Sequence, residues 1–342
     1  VVIDGAVNVA IQSLEIVNSG RNAVEIVNSE NTQVTACNIS QCGADGILVS
    51  EQSINTTLDR ISLGQAVGAG IHFDEVKDAT LESPSEEWRG KYIPARIEFN
   101  EGPGILIEDS VNIRIGDSSR GYEIYDNIHS GIFVMGSNTQ GVEVYSNSIF
   151  NNDTGVQVEE GGDIVIGGQY GGGNRFSSNR RADILAGGQV SELTIIGNDM
   201  QNSGVGSLES VDISPPSESA IVLENGIKGA AIKSNTIKNC QSHGIQLRDG
   251  ATETHISMNE ISDNAGHGIA VEGAATRYNR ITANSITSNA GQGIKLNGAN
   301  DSIEPPVVRK VSGNGENISG VIQNAPVGSI IEIPQRQFIG TH

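Results

Sequence analysis

The chain has 342 residues, of which 37% are hydrophobic, only 4% are aromatic and 43 are glycine. Its 21 basic and 41 acidic residues give a formal charge of −20, which excludes nucleic acid and anionic membrane surfaces as expected partners because both are negatively charged. It has no apolar run of about eighteen residues, so membrane insertion is not expected either.

A short phrase recurs along the chain, made of a small residue, then Ile or Val, any residue and another aliphatic residue. Its copies begin at Ala23, Gly46, Gly70, Gly104, Gly131, Gly155, Asp183, Ala220, Gly244, Gly268 and Gly293. A second phrase, Asn-x-Ile/Met/Phe, follows downstream at Asn147, Asn174, Asn198, Asn235, Asn259 and Asn284. A third short apolar segment lies between them, for example VEV at Val142. Each unit therefore contains three short apolar segments in a fixed order.

Within each segment, hydrophobic and polar residues alternate, which is the periodicity of a strand and not of a helix. Three strands in a period of about 22–27 residues indicate a solenoid in which one unit is one turn. Turns stacked at about 4.8 Å give every strand hydrogen-bond partners above and below, and inward Ile and Val form columns along the axis. The sequence predicts an all-β, single-stranded parallel β-helix of about eleven turns.

In phrase, order and period, the units resemble the right-handed parallel β-helix family, the pectate-lyase-like superfamily with its short parallel β-helix repeats. The likeness covers the coil predicted for residues 1–302. It implies a right-handed solenoid and, for function, an extracellular or cell-surface protein that binds or processes polysaccharide. The alternative is a structural or adhesive repeat protein of a surface layer, filament or phage fibre, because no complete catalytic signature is present.

Two insertions interrupt the predicted coil, at residues 78–103 and 204–219. Insertions in a solenoid gather on one face, often the binding face. The repeat then stops, and residues 303–342 are predicted to form a C-terminal β extension that caps the last turn or begins a further module.

Two sets of polar residues are interpreted as structural. Asn38 and the six asparagines of the second phrase are expected to form an inward amide ladder, each bonding its copy in the next turn. Gly-His-Gly at 266–268 is similar to a motif of polygalacturonase-type hydrolases, but that family's paired aspartates and Arg-x-Lys are missing. His243 and His267 are therefore interpreted as turn residues.

The outward positions of the first strand carry the candidate site. The middle position is largely apolar in successive turns and reads Leu48, His72, Leu106, Phe133, Gln157, Leu185 and Val222. Exposed apolar side chains need a cover, which an insertion, a ligand or a second copy of the chain could supply, so a homo-oligomer through this apolar outer stripe is one expectation.

At the next outward position, Asp74 and Glu108 are expected to stack one turn apart, with Glu75 and Asp109 beside them. Like charges this close raise one pKa or recruit a cation. The four carboxylates are the predicted metal site, and Ca²⁺ is the one cofactor they suggest, because it prefers several oxygen ligands.

Asp74 and Glu108 also suit the acid/base pair of a glycoside hydrolase. In polysaccharide lyases of the family that the chain resembles, a basic residue deprotonates a Ca²⁺-bound uronate, and Lys91 and Arg96 are the candidates for that role. The remaining predicted substrate contacts are His72, Trp88, Tyr92, Phe133 and Glu159. The sequence leaves open whether the protein is an enzyme, either lyase or hydrolase, or only binds a polysaccharide or cell-surface glycan.

Overall fold

A computed structural model of the chain describes residues 1–82, 95–117, 120–204 and 219–300 and the backbone of the short strands Glu87–Trp88, Lys91–Tyr92, Val307–Ser312 and Asn317–Val321. The predicted all-β parallel solenoid is confirmed, because the strands of each turn pair in parallel with those of the next. One short 3-10 helix, Gln169–Gly171, is also present. Among the described residues, no helix has the length and apolar character needed to cross a membrane.

Each turn contributes a head strand, a middle strand and a third strand. The head strands are Val2–Asp4, Val24–Val27, Ile47–Ser50, Ile71–Asp74, Ile105–Glu108, Ile132–Met135, Ile221–Leu223, Ile245–Leu247, Ile269–Glu272 and Ile294–Asn297. The middle strands are Ala10–Gln12, Gln33–Thr35, Ile54–Asp59, Lys77–Glu82, Val111–Ile115, Gln140–Val144, Ala231–Lys233, His255–Ser257 and Arg280–Thr282. In two turns the head and middle strands are continuous, as Thr154–Ile166 and Ala182–Ile196, so that all of these strands form one 21-stranded sheet.

The third strands form a separate 11-stranded sheet, which gives the coil its eleven turns. They are Glu15–Val17, Asn38–Cys42, Ser62–Ala66, Arg96–Glu98, Glu123–Tyr125, Ser148–Phe150, Arg175–Ser177, Asp199–Gln201, Thr236–Lys238, Glu260–Ser262 and Ser285–Thr287. Outside the coil, Glu87–Trp88 pairs antiparallel with Lys91–Tyr92, and Val307–Ser312 with Asn317–Val321. The domain limits at residues 302 and 303 and the insertion limits stay predictions.

The core is a set of columns of stacked aliphatic side chains. Along the head strands, for instance, Val49, Phe73 and Ile107 are partners in neighbouring turns and are fully buried. Burial of apolar area contributes about 25 cal/mol per Å², so each turn is stabilised mainly by its neighbours. This dependence on neighbours explains why the same phrase recurs at each turn.

The predicted amide ladder is present, with one correction. The side chain of Asn174 accepts the backbone N–H of Asn147 at 3.0 Å and donates in turn to Asn198 Oδ1 at 3.0 Å, and the chain continues to Asn284. The interpretation of Asn38 as a member is wrong, because Asn38 is exposed on a third strand. In the ladder the Ile lies two residues after the Asn, whereas in this turn it follows Asn38 directly, so the inward place falls to Cys37.

Candidate functional site on the outer face of the head strands

The predicted outward row exists, and its register follows the repeat. His72 is the partner of Leu48 in the turn before and of Leu106 in the turn after, and Leu106 is in turn the partner of Phe133. These four side chains are partly exposed, whereas Leu185 and Val222 further along the row are buried. The part of the row around His72 is therefore accessible from solvent, with apolar neighbours on both sides.

Two residues further along the same strands, Asp74 and Glu108 are partners in adjacent turns, as predicted. Both side chains are partly exposed on the same outer face as His72. Glu75 and Asp109 follow at the ends of the strands, where the backbone is left-handed with φ values of 55° and 44°. The Asp109 carboxylate accepts the N–H of Asn138 at 3.0 Å, so it is engaged in its own turn.

His72 is held by a carboxylate that the sequence did not suggest. Its Nδ1 lies 3.2 Å from Oδ2 of Asp45, whose Oδ1 accepts the backbone N–H of Ala69 at 2.7 Å. The space for Asp45 exists because residue 68 is glycine, where a Cβ would lie 2.2 Å from Oδ1 of Asp45. Asp45 is thus fixed by the backbone of the next turn and in turn orients the imidazole.

The other ring nitrogen of His72 faces the predicted carboxylate pair. Nε2 is buried, has no hydrogen-bond partner and lies 3.7 Å from Oε2 of Glu108. Burial lowers the pKa of His72, but the hydrogen bond and charge of Asp45, followed by the charges of Asp74 and Glu108, outweigh it, so that the pKa is raised. The site therefore favours an imidazolium whose Nδ1–H donates to Asp45 and whose Nε2–H points toward Glu108.

This arrangement suits proton transfer. Histidine is a common general acid or base, and a raised pKa keeps its acid form populated to a higher pH. A carboxylate beside it can accept a proton or stabilise positive charge. The site thus combines a buried donor, His72 Nε2, with a partly exposed acceptor, Glu108.

The predicted bases lie elsewhere or outside the described side chains. Arg96 lies on a third strand, where its Nε is 3.2 Å from Glu123 Oε2, so it does not join His72. For Trp88, Lys91 and Tyr92 the backbone strands are described, and the side chains lie outside the described part. Among the side chains that are described, no three of His, Cys, Asp or Glu form a metal-binding group, so Asp74 and Glu108 fall short of the several oxygens that Ca²⁺ prefers. Ca²⁺ binding stays a prediction.

Glu159 lines a separate groove on the same sheet. The groove, of about 370 Å³, is bounded by Gln157, Glu159, Arg181, Leu185 and Glu224 and floored by Gly187 and Gly188. The register shifts by one residue here, between Val158 and Glu160, so the two glycines form a bulge. Glu224 forms an ion pair with Arg248.

Asp45 has a signal in the sequence that becomes readable once the coil is known. It occupies the place just before the head glycine, which His243 and His267 occupy in later turns. There, His243 Nδ1 accepts the N–H of His267 at 2.8 Å, and the two rings stack at 4.9 Å. The position before the head glycine therefore favours a side chain that accepts an N–H from the next turn. Both histidines are turn residues.

Comparison with known proteins bears on the fold. The profile described as "right handed beta helix region" matches residues 1–84 and 167–305. No curated protein matches the chain in sequence.

Three solved structures are among those similar to the chain. The A-module of mannuronan C-5 epimerase AlgE4 from Azotobacter vinelandii shares 15% identity over 84% of this chain and 88% of its own, with a TM-score of 0.48. The catalytic domain of a GH87 alpha-1,3-glucanase in complex with tetrasaccharides shares 12% over 85% and 60%, with a TM-score of 0.42. The surface protein and adhesin PfbA of Streptococcus pneumoniae shares 13% over 80% and 69%, with a TM-score of 0.43.

Proposed function

Since the chain belongs to the right-handed beta helix family, we propose that it is an extracellular or cell-surface protein that binds polysaccharide along the outer face of its head strands and processes it at His72. One observation carries the proposal. His72 is anchored by Asp45 at 3.2 Å and turns its second nitrogen toward Glu108 at 3.7 Å, on a row that is otherwise apolar and partly exposed.

The row suits an extended sugar chain. Leu48, His72, Leu106 and Phe133 follow one another at the spacing of the turns, about 4.8 Å, so a glycan lying parallel to the axis meets a new side chain at nearly every residue. Apolar side chains pack against the C–H faces of pyranose rings, while carboxylates accept hydrogen bonds from hydroxyl groups. Glu159, in the groove beside Gly187, offers a further contact for the same glycan.

The chemistry that fits best is glycoside hydrolysis. The imidazolium of His72 would pass its buried Nε2 proton to Glu108, 3.7 Å away, and the partly exposed Glu108 would donate it to the leaving oxygen, with Asp45 stabilising the charged ring. Asp74, on the neighbouring strand about 4.8 Å away, would attack the anomeric carbon as the bond to the leaving oxygen breaks, and water would then release the sugar, as in retaining hydrolases, whose two carboxylates lie about 5–5.5 Å apart. Uronate lyase chemistry fits less well, because Arg96 lies on another sheet.

A panel of acidic and neutral polysaccharides tests this proposal, with reducing ends reporting hydrolysis and absorbance of unsaturated uronates reporting lyase activity. Glu108→Gln and His72→Gln are each expected to lower kcat at least about 100-fold, the usual contribution of a general acid or base. Glu192→Gln, the same change at an exposed position of another strand, is the control and should leave kcat unchanged. Wild-type turnover in the double variant His72→Gln/Glu108→Gln would overturn the assignment.

The partial exposure of Leu48, Leu106 and Phe133 also favours a second candidate, a structural or adhesive protein whose copies or partners cover this row. Light scattering separates the two candidates. A defined oligomer that dissociates on Phe133→Asp, together with silence across the polysaccharide panel, would support the adhesive function and exclude the enzyme.

A further inference from the structure

A second set of aromatic rings lies on a different face of the coil, the sheet of third strands. Tyr125 and Phe150 are partners in adjacent turns, and their rings stack with centroids 4.6 Å apart and planes only 6° from parallel. Phe99, one turn earlier, meets Tyr125 edge-on, with centroids 6.0 Å apart and planes at 72°. Three rings in successive turns therefore form a continuous row along the axis.

Phe99 is the ring most open to solvent. Its side chain is 51% exposed, and its perpendicular contact with Tyr125 leaves at least one ring face without that partner. Tyr125 contacts Phe99 on one side and is itself held by its stacking on Phe150. An exposed ring backed by two others is a rigid surface for a flat apolar ligand.

The backbone conformation at Phe99 favours a small polar residue over a bulky ring. Its φ is 57°, in the left-handed region that is unfavourable for a bulky side chain. The corresponding corner in later turns is occupied by Asp126, Asn151 and Ser178, which tolerate this conformation better. Asparagine at this corner would therefore relieve the unfavourable φ.

Carboxylates border the row. Glu98 is the partner of Tyr125 in the turn before and packs into space left by Gly64, while Asp126 follows Tyr125 directly. Burial raises the pKa of both groups, so they are partly removed from water although the rings beside them remain accessible. Such carboxylates accept hydrogen bonds from hydroxyl groups and repel anions.

We propose that Phe99, Tyr125 and Phe150, with Glu98 and Asp126, form a second glycan-binding surface that takes a neutral pyranose polymer. A pyranose ring stacks its C–H face on Phe99, and its hydroxyls donate to the carboxylates. The carboxylates and the net charge of −20 disfavour a polyuronate. Because this surface lies on another sheet than His72, it anchors the polymer independently of the proposed catalytic site.

The test is isothermal titration of the full chain, carrying His72→Gln/Glu108→Gln to prevent turnover, with soluble neutral hexasaccharides of glucose, mannose and xylose. Galacturonate and glucosamine hexamers are the charged probes. At least one neutral hexamer should bind. Phe99→Asn should weaken that binding about tenfold while leaving the melting temperature equal or higher, since asparagine relieves the strained φ. Phe99→Trp, which keeps a ring, should retain binding.

Tyr278→Asn is the matched control, because Tyr278 is also an exposed aromatic residue with a left-handed φ, of 61°, and packs with Arg277 instead of other rings. It should bind as the parent does. The proposal is overturned if no neutral hexamer binds, if a charged hexamer binds more tightly, or if Phe99→Asn binds like the parent. A failure of the His72 proposal would leave these outcomes unchanged, because turnover is not measured.

Discussion

Asp183 is the residue whose replacement should change stability most informatively. It takes the place of the head glycine in its turn, and its side chain is completely buried. Asn179 Nδ2 donates to its Oδ1 at 2.8 Å, and the hydroxyl of Ser203 donates to its Oδ2. A second amide ladder ends beside Asp183 and consists of Asn100, Asn127, Asn152 and Asn179. The carboxyl group of Asp183 occupies the place of the next amide.

Burial raises the pKa of Asp183 from 3.8 to about 7, and the two hydrogen bonds offset only part of this shift. The sign follows from comparing the two states. Below pH 3.8 Asp183 carries its proton in both the folded and the unfolded chain, so its contribution to the stability of the folded state is fully present. Between pH 3.8 and about 7 the unfolded chain releases the proton and the folded chain keeps it, which favours unfolding. Asp183 alone therefore lowers the free energy of unfolding by roughly 4 kcal/mol across this interval.

Asp183→Asn keeps the shape and the ladder but cannot ionise. At pH 4 it should have a stability close to that of the wild type, and at pH 8 it should be more stable by up to roughly 4 kcal/mol. Urea denaturation of both proteins at several pH values measures the difference, in which the other titrating groups cancel. Asp263→Asn, the same change at an exposed aspartate, should give a difference near zero throughout. A difference between wild type and Asp183→Asn that does not vary with pH would refute the reasoning.

Three further substitutions test the His72 site and the stability of the coil. Gly68→Ala should displace the carboxylate that orients His72, because the new Cβ would lie 2.2 Å from it, and NMR titration should then show a lower pKa for His72. Asn198→Ala removes a buried amide that bonds both neighbouring turns and should cost about 3 kcal/mol by urea denaturation, against less than about 0.5 kcal/mol for the exposed Asn38→Ala. Burial and the neighbouring His267 lower the pKa of His243, so the folded state favours the neutral imidazole. The stabilisation of the folded state by this preference is fully present above pH 6.5 and is lost as the pH falls through the lowered pKa. His243→Gln should remove that acid-side loss in the same titration.

The sequence predicted the coil because every turn solves one packing problem in the same way. Once the period is known, it also fixes the register, which is why Asp74 and Glu108 could be placed side by side before any coordinates. The error at Asn38 has the same origin, since a shift of one residue moves a side chain from the inside of a strand to the outside. The second ladder could have been found, because Asn152 and Asn179 each follow an asparagine of the first ladder by five residues.

The repeat does not predict which contacts form at the corners of the coil, where residues from different strands meet. Asp45 precedes a head strand and reaches His72 only because the chain bends there and residue 68 is glycine. Phe99 lies just after a third strand and projects from a strained corner that the strand pattern does not describe. Repetition stabilises the rod and leaves its corners free to differ from turn to turn. Each proposed site accordingly depends on one residue that departs from the repeat at a corner, since Asp45 orients His72 and Phe99 provides the most exposed ring.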